Sequence, residues 1–134
     1  YYASRGLGDV YKRQVRSRSG HNMIYWYQNL YMDETVEKNP KRCKKRVEKR
    51  RPWKKSYVVL TLAQNDKNLF EIMQTRQLFF RRYRHVDMYV VALTSDYDAA
   101  VEILQQILEK GYRENPEYNP RNVFAKKEFY PGRK

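Results

Sequence analysis

Residues 57–74 read YVVLTLAQNDKNLFEIMQ, and the way this stretch divides decides the fold. Tyr57–Ala63 is a short apolar run with β-branched residues. Apolar and polar positions do not alternate cleanly in it, so it reads as a strand buried on both faces. After Asn65 and Asp66, the residues Leu69, Ile72 and Met73 fall at helical spacing. The predicted division is therefore a strand followed by a helix.

The same pattern recurs 32 residues on, counting from Tyr57 to Tyr89. Met88–Thr94 (MYVVALT) is a second apolar run. Ser95 is a good helix N-cap, and Asp98 three residues later resembles the second half of a capping box. Ala100, Ile103, Leu104, Ile107 and Leu108 then form an apolar stripe able to face a sheet, and Gly111 is a plausible stop. The helices share Glu71-Ile72-Met73-Gln74 and Glu102-Ile103-Leu104-Gln105, which suggests a βα unit used twice.

Upstream, residues 24–32 alternate. Ile24, Trp26, Leu30 and Met32 point one way, and Tyr25, Tyr27, Asn29 and Tyr31 the other, as in a strand with one buried face. Asn39-Pro40 then opens a helix, with Asn as N-cap and Pro at the first position. This helix is expected to reach about Arg51 and stop before Pro52. Its apolar content is Cys43 and Val47. Strands alternating with helices imply right-handed crossovers and a parallel sheet. The fold class predicted is α/β, with a small three-stranded, mainly parallel sheet in β-α-β-α-β-α order and helices packed on it.

Two resemblances bear on the chain. Residues 24–124 resemble short uncharacterised α/β proteins of anaerobic gut bacteria, through NLFEIM at Asn68–Met73, LFF-x-x-Y at Leu78–Tyr83 and VVALTSDYDAAVEIL at Val90–Leu104. These are core and capping motifs, so the resemblance implies a fold and carries no activity. Residues 1–14 (YYASRGLGDVYKRQ) closely resemble the translated sequencing-adapter sequence that recurs at the ends of predicted proteins in metagenomic assemblies. On that basis residues 1–22 are read as a non-native or disordered leader that packs poorly against the domain. Residues 23–112 are then one domain. Residues 113–134, with Pro116, Pro120 and Pro131, are an extended or partly disordered tail from which Val123 and Phe124 dock back.

The net charge of the 134-residue chain is +13. Arg5, Lys12, Arg13, Arg16, Arg18 and Asp9 account for +4 of it, which leaves +9 from Met23 onward. That excess favours anionic partners without defining a fold. No apolar run approaches the roughly 18 residues of a membrane helix, so no membrane partner is expected. One cysteine, Cys43, precludes an internal disulfide, and a cytoplasmic location is the default.

Three candidate functions follow. The first is a small cytoplasmic binding or interaction domain, non-enzymatic, its partner open between nucleic acid and another protein. The second makes that partner nucleic acid, held by the basic helix 41–55. Ten of the fifteen residues from Lys41 to Lys55 are Lys or Arg, and Lys41, Arg42, Lys44, Lys45, Arg46, Lys49 and Arg50 are the candidate contacts. Arg81, Arg82, Arg84 and His85 extend the patch, and Tyr25, Tyr27 and Tyr31 are candidates to stack on bases. The plainer alternative is a solvated helix face. The third is a metal-dependent enzyme at the strand ends, where Asp33-Glu34, Asn65-Asp66 and Ser95-Asp96 sit. Helix capping accounts better for those residues. No glycine-rich turn follows a strand, and no Cys/His spacing fits zinc. Cys43 reads as a small buried apolar residue. No residue is assigned to catalysis, to a cofactor or to a metal.

Overall fold

The structure, a computed structural model, describes residues 23–49, 56–63, 69–79 and 86–132. The segment 1–22, read as a leader from the sequence, lies outside these residues. In chain order the elements are β1 (Ile24–Met32), α1 (Glu34–Glu37), α2 (Pro40–Glu48), β2 (Val58–Leu62), β3 (Phe70–Gln74), a 3-10 turn (Thr75–Phe79), β4 (Met88–Thr94), α3 (Tyr97–Glu114), α4 (Pro120–Val123), a second 3-10 turn (Lys126–Glu128) and β5 (Phe129–Pro131).

The strands form one five-stranded sheet in the order β3-β2-β4-β1-β5. Among the described strands only β1 and β4 run parallel; β2–β3, β2–β4 and β1–β5 are antiparallel. This corrects the expected three-stranded, mainly parallel β-α-β-α-β-α sheet. The error lies in residues 57–74, whose described parts form two antiparallel strands and not a strand–helix unit. Val58–Leu62 pair with Phe70–Gln74 through five register partners. Ala63 N–H also donates to the Leu69 carbonyl at 3.2 Å. Leu69, Ile72 and Met73 do not share a helical stripe. Ile72 and Phe70 pack on one face of the sheet, while Met73 packs on the other. Asn and Asp are turn residues as readily as helix caps, so Asn65-Asp66 supported either division.

Helices cover both faces. On one side Ile24, Trp26, Tyr57, Val59, Met73, Met88, Val90 and Leu93 pack with Val36, Cys43 and Val47 from α1 and α2. On the other, Leu60, Val91, Ala92 and Phe129 pack with Ile103 and Ile107 of α3 and with Phe124. The alternation in β1 sends Ile24, Trp26, Leu30 and Met32 to the α2 side, and Tyr25 and Tyr27 to the α3 side. Both faces of β1 are therefore covered, not one.

The β4 strand breaks its own alternation. Val91 and Ala92 are consecutive yet face the same cluster. The ladder with β2 slips there, between Leu60 and Thr61, as a bulge requires. The β1–β4 ladder slips as well: β1 takes five steps from Trp26 to Tyr31 while β4 takes two from Val90 to Ala92.

Two details of α3 differ from expectation. Its N-cap is Asp96, whose carboxylate accepts from Ala99 N–H at 2.8 Å. Ser95 has a different partner, described below. Gly111 does not end the helix, which continues to Glu114. It is a glycine because Tyr118 crosses it: a Cβ there would sit 2.5 Å from the tyrosine ring. Beyond α3, the segment read as a tail supplies α4, the buried Phe124, the exposed Val123 and the edge strand β5.

Gly111→Ala is expected to lower stability by about 1 kcal/mol through overpacking against Tyr118. In a Tyr118→Ala background the same change is expected to raise stability, because alanine is the better helix former. Thermal unfolding of the four proteins of this cycle measures both signs.

Candidate nucleic-acid interface

The α2 helix starts as its sequence dictates. Asn39 accepts from Arg42 N–H at 3.2 Å, and Pro40 occupies the first turn. Cys43 and Val47, four residues apart, lie on one face and are buried in the core under the helix. The remaining faces carry the charge.

The candidate contacts divide into two groups. Lys41, Arg42, Lys45 and Lys49 are exposed, as is Lys38 just before the helix. Lys44 and Arg46 flank the buried stripe, are half-buried, and already have partners. The Lys44 ammonium lies 5.8 Å from the centroid of the Trp26 ring, within cation–π range. Arg46 Nη1 donates to the Tyr57 hydroxyl at 3.1 Å. Burial, aided by the Cys43 side chain, pushes the Tyr57 hydroxyl above its usual pKa, against the opposing pull of Arg46. Arg50, the rest of the run to Lys55, and Arg81–His85 lie outside the described residues.

Glu48 is the one acid between Lys41 and Lys55. Its Oε2 accepts from Trp26 Nε1 at 2.7 Å. The bond turns the carboxylate toward the sheet, so it does not interrupt the outer cationic row.

The tyrosines expected to stack on bases are placed otherwise. Tyr25 stacks on Tyr89 with ring centroids 4.8 Å apart and planes 9° from parallel. Tyr27 meets Phe124 edge-on at 5.0 Å and Phe129 at 5.3 Å. Burial, with the Glu128 charge second, raises the pKa of the Tyr27 hydroxyl. Both rings belong to the cluster under α3, across the sheet from the basic helix. Tyr31 is exposed at the end of β1. An exposed ring on the α2 side is Tyr130 of β5, which lies opposite Trp26. It carries no sequence pattern, because its face is set only by the pairing of β5 with β1.

The strand-end acids form a clasp. Asp33 Oδ1 accepts from Val36 N–H at 3.0 Å and so caps α1. Its Oδ2 accepts from the Ser95 N–H at 2.8 Å and the Ser95 hydroxyl at 2.6 Å. Burial works to raise the Asp33 pKa, but these hydrogen bonds outweigh it and the net shift is downward. Asp96 caps α3. Among the described residues no group of three or more His, Cys, Asp or Glu is placed to hold a metal ion. Asp66 and His85 lie outside those residues, and Cys43 is buried. No described helix is long and apolar enough to cross a membrane.

In comparison with known proteins, no family model, curated protein or solved structure matches the chain. The geometry of the chain itself carries the functional reading.

Asp33 has a folded pKa below its unfolded value, so the stability it contributes is full above about pH 4 and fades as pH falls through the folded pKa. Asp33→Asn is expected to cost about 1–3 kcal/mol at neutral pH, since its amide opposes N–H and O–H donors. The variant is also expected to lose less stability than the parent between pH 5 and pH 3, a range chosen around the ordinary Asp pKa of about 3.9. Urea melts across that range measure the difference.

Proposed function

We propose that this protein is a small cytoplasmic binding domain, non-enzymatic, that holds the phosphate backbone of nucleic acid on the exposed face of α2. One observation carries the reading. Lys41, Lys45 and Lys49 are all exposed and fall four residues apart, with Arg42 and Lys38 beside them, on a helix whose acid is bonded inward to Trp26. Residues four apart on a helix are neighbours about 5–6 Å from one another. The row from Lys41 to Lys49 therefore runs about 12 Å along the helix. A continuous row of ammonium groups suits a chain of phosphates, because each contact releases condensed counterions.

The strand-end residues support binding over catalysis. Asp33 holds Ser95 and caps α1, and Asp96 caps α3. The single thiol, Cys43, is buried among apolar side chains. One cysteine in the whole chain is in keeping with a reducing compartment.

In fluorescence-anisotropy titrations of the full chain against a labelled oligonucleotide, binding is expected at low salt and should weaken steeply as salt rises. Lys41→Glu/Lys45→Glu is expected to weaken it by about tenfold or more. It should also reduce the slope of log affinity against log salt by about 1.4 on a single strand or about 1.8 on a duplex. Absence of binding at low salt would overturn the reading.

A further inference from the structure

We infer that the binding face continues from the cationic α2 onto β5, where Tyr130 stacks on a base, and that the partner is therefore single-stranded. The inference rests on the proposed α2 site and names its ligand class.

The placement of Tyr130 follows from the edge of the sheet. β5 pairs antiparallel with β1, with Tyr27 opposite Phe129 and Trp26 opposite Tyr130. Residues directly opposite in an antiparallel pair project to the same face. Tyr27 and Phe129 do so, meeting under α3 at 5.3 Å. Tyr130 accordingly shares the face of Trp26, the face that α2 covers. Trp26 is buried, while Tyr130 is 59% exposed.

The helix comes close to this edge. Trp26 is held from above by two residues of one flank of α2, Glu48 through its indole N–H and Lys44 over its ring. Two residues after Tyr130, the chain passes tightly beneath the same flank. A Cβ on Gly132 would lie 2.6 Å from Glu48 Oε2 and 3.0 Å from Trp26 Nε1. Gly132 N–H also donates to the Ile24 carbonyl at 2.7 Å, which fixes the end of β5 against β1. An exposed aromatic ring and the Lys44 side of the cationic helix thus border the same indole.

Phosphates alone do not distinguish a duplex from a single strand, but a stacking ring does. The base faces of a duplex are occupied by neighbouring bases. A single strand offers them to aromatic side chains, and it does so with little regard to sequence. In this arrangement the phosphates follow the Lys41–Lys45 side of α2 and one base turns down onto Tyr130. The Glu48 carboxylate also lies on this side, bonded to the indole N–H.

The test is anisotropy on the full chain with a labelled 12-nucleotide single strand of mixed sequence and its 12-base-pair duplex. Tyr130→Ala is expected to weaken single-strand binding by about fivefold to a hundredfold, with the salt slope and the duplex affinity unchanged. Tyr130→Phe should retain single-strand affinity, because it keeps the ring. Tyr97→Ala, at an exposed ring on the first turn of α3, should leave both ligands unaffected. If Tyr130→Ala binds the single strand as the parent does while Lys41→Glu/Lys45→Glu still weakens it, the stacking site is wrong and the α2 site stands. If the duplex binds more tightly than the single strand, the assignment of ligand class is overturned. If charge reversal on α2 changes neither affinity, both readings fall.

Discussion

The carboxylate of Asp33 is the joint on which the architecture turns. One oxygen starts α1, and the other takes the backbone N–H and the hydroxyl of Ser95 at the end of β4. β1 and β4 are the only parallel pair among the described strands, and parallel neighbours cannot be tied by a short hairpin. The side-chain clasp ties their carboxyl ends instead. Both helical excursions, through α1 and α2 and through α3, depart from this point. Thr94 strengthens it: its hydroxyl lies 2.8 Å from the Asp96 carbonyl and 3.3 Å from that of Val58, which brings β2 into the same corner.

The basic helix is mounted on this frame against its own electrostatics. Lys41, Lys45 and Lys49 are like charges at four-residue spacing, and each such pair costs a helix about 0.2–0.5 kcal/mol. Two buried residues, Cys43 and Val47, provide its apolar anchorage. Trp26 adds an indole N–H that donates to Glu48 and a ring beneath Lys44, and Tyr57 adds a hydroxyl that accepts from Arg46. The one negative charge of α2 itself is thereby drawn inward. The helix tolerates this repulsion because its polar contacts with the sheet lie on its flanks and leave the outer face open.

Much of this plan is legible in the sequence, and the failures have identifiable causes. The alternation of Ile24 to Met32 and the Ala100–Leu108 stripe depend on local periodicity and the Asn39-Pro40 helix start on capping, and all correspond to elements of the fold. The 57–74 segment fails because Leu69, Ile72 and Met73 meet a helical template with only three residues, and Asn65-Asp66 suits a turn equally well. β5 is three residues long and lies among prolines, so only its pairing with β1 defines it. The N-cap of α3 is correct in kind and shifted by one position, to Asp96, because Ser95 is bonded to Asp33; the box expected with Asp98 does not form, since the residue three after Asp96 is Ala99. For the candidate site, charge marks α2 from sequence alone. It does not show that Lys44 and Arg46 serve the fold, or that Tyr25 and Tyr27 face the opposite helix.

The register slip of β1 has a dynamic consequence. Between Trp26 and Tyr31 the central parallel ladder is interrupted, and the neighbouring β2–β4 ladder slips at the same level. Gln28 and Asn29 in that interval are exposed. The sheet therefore has a seam running across its middle strands, with regular pairing above and below. In hydrogen-exchange terms such a seam is a small opening unit set between protected ones. It divides β1 into a part that carries Trp26 and pairs with β5 and a part that ends at the Asp33 clasp.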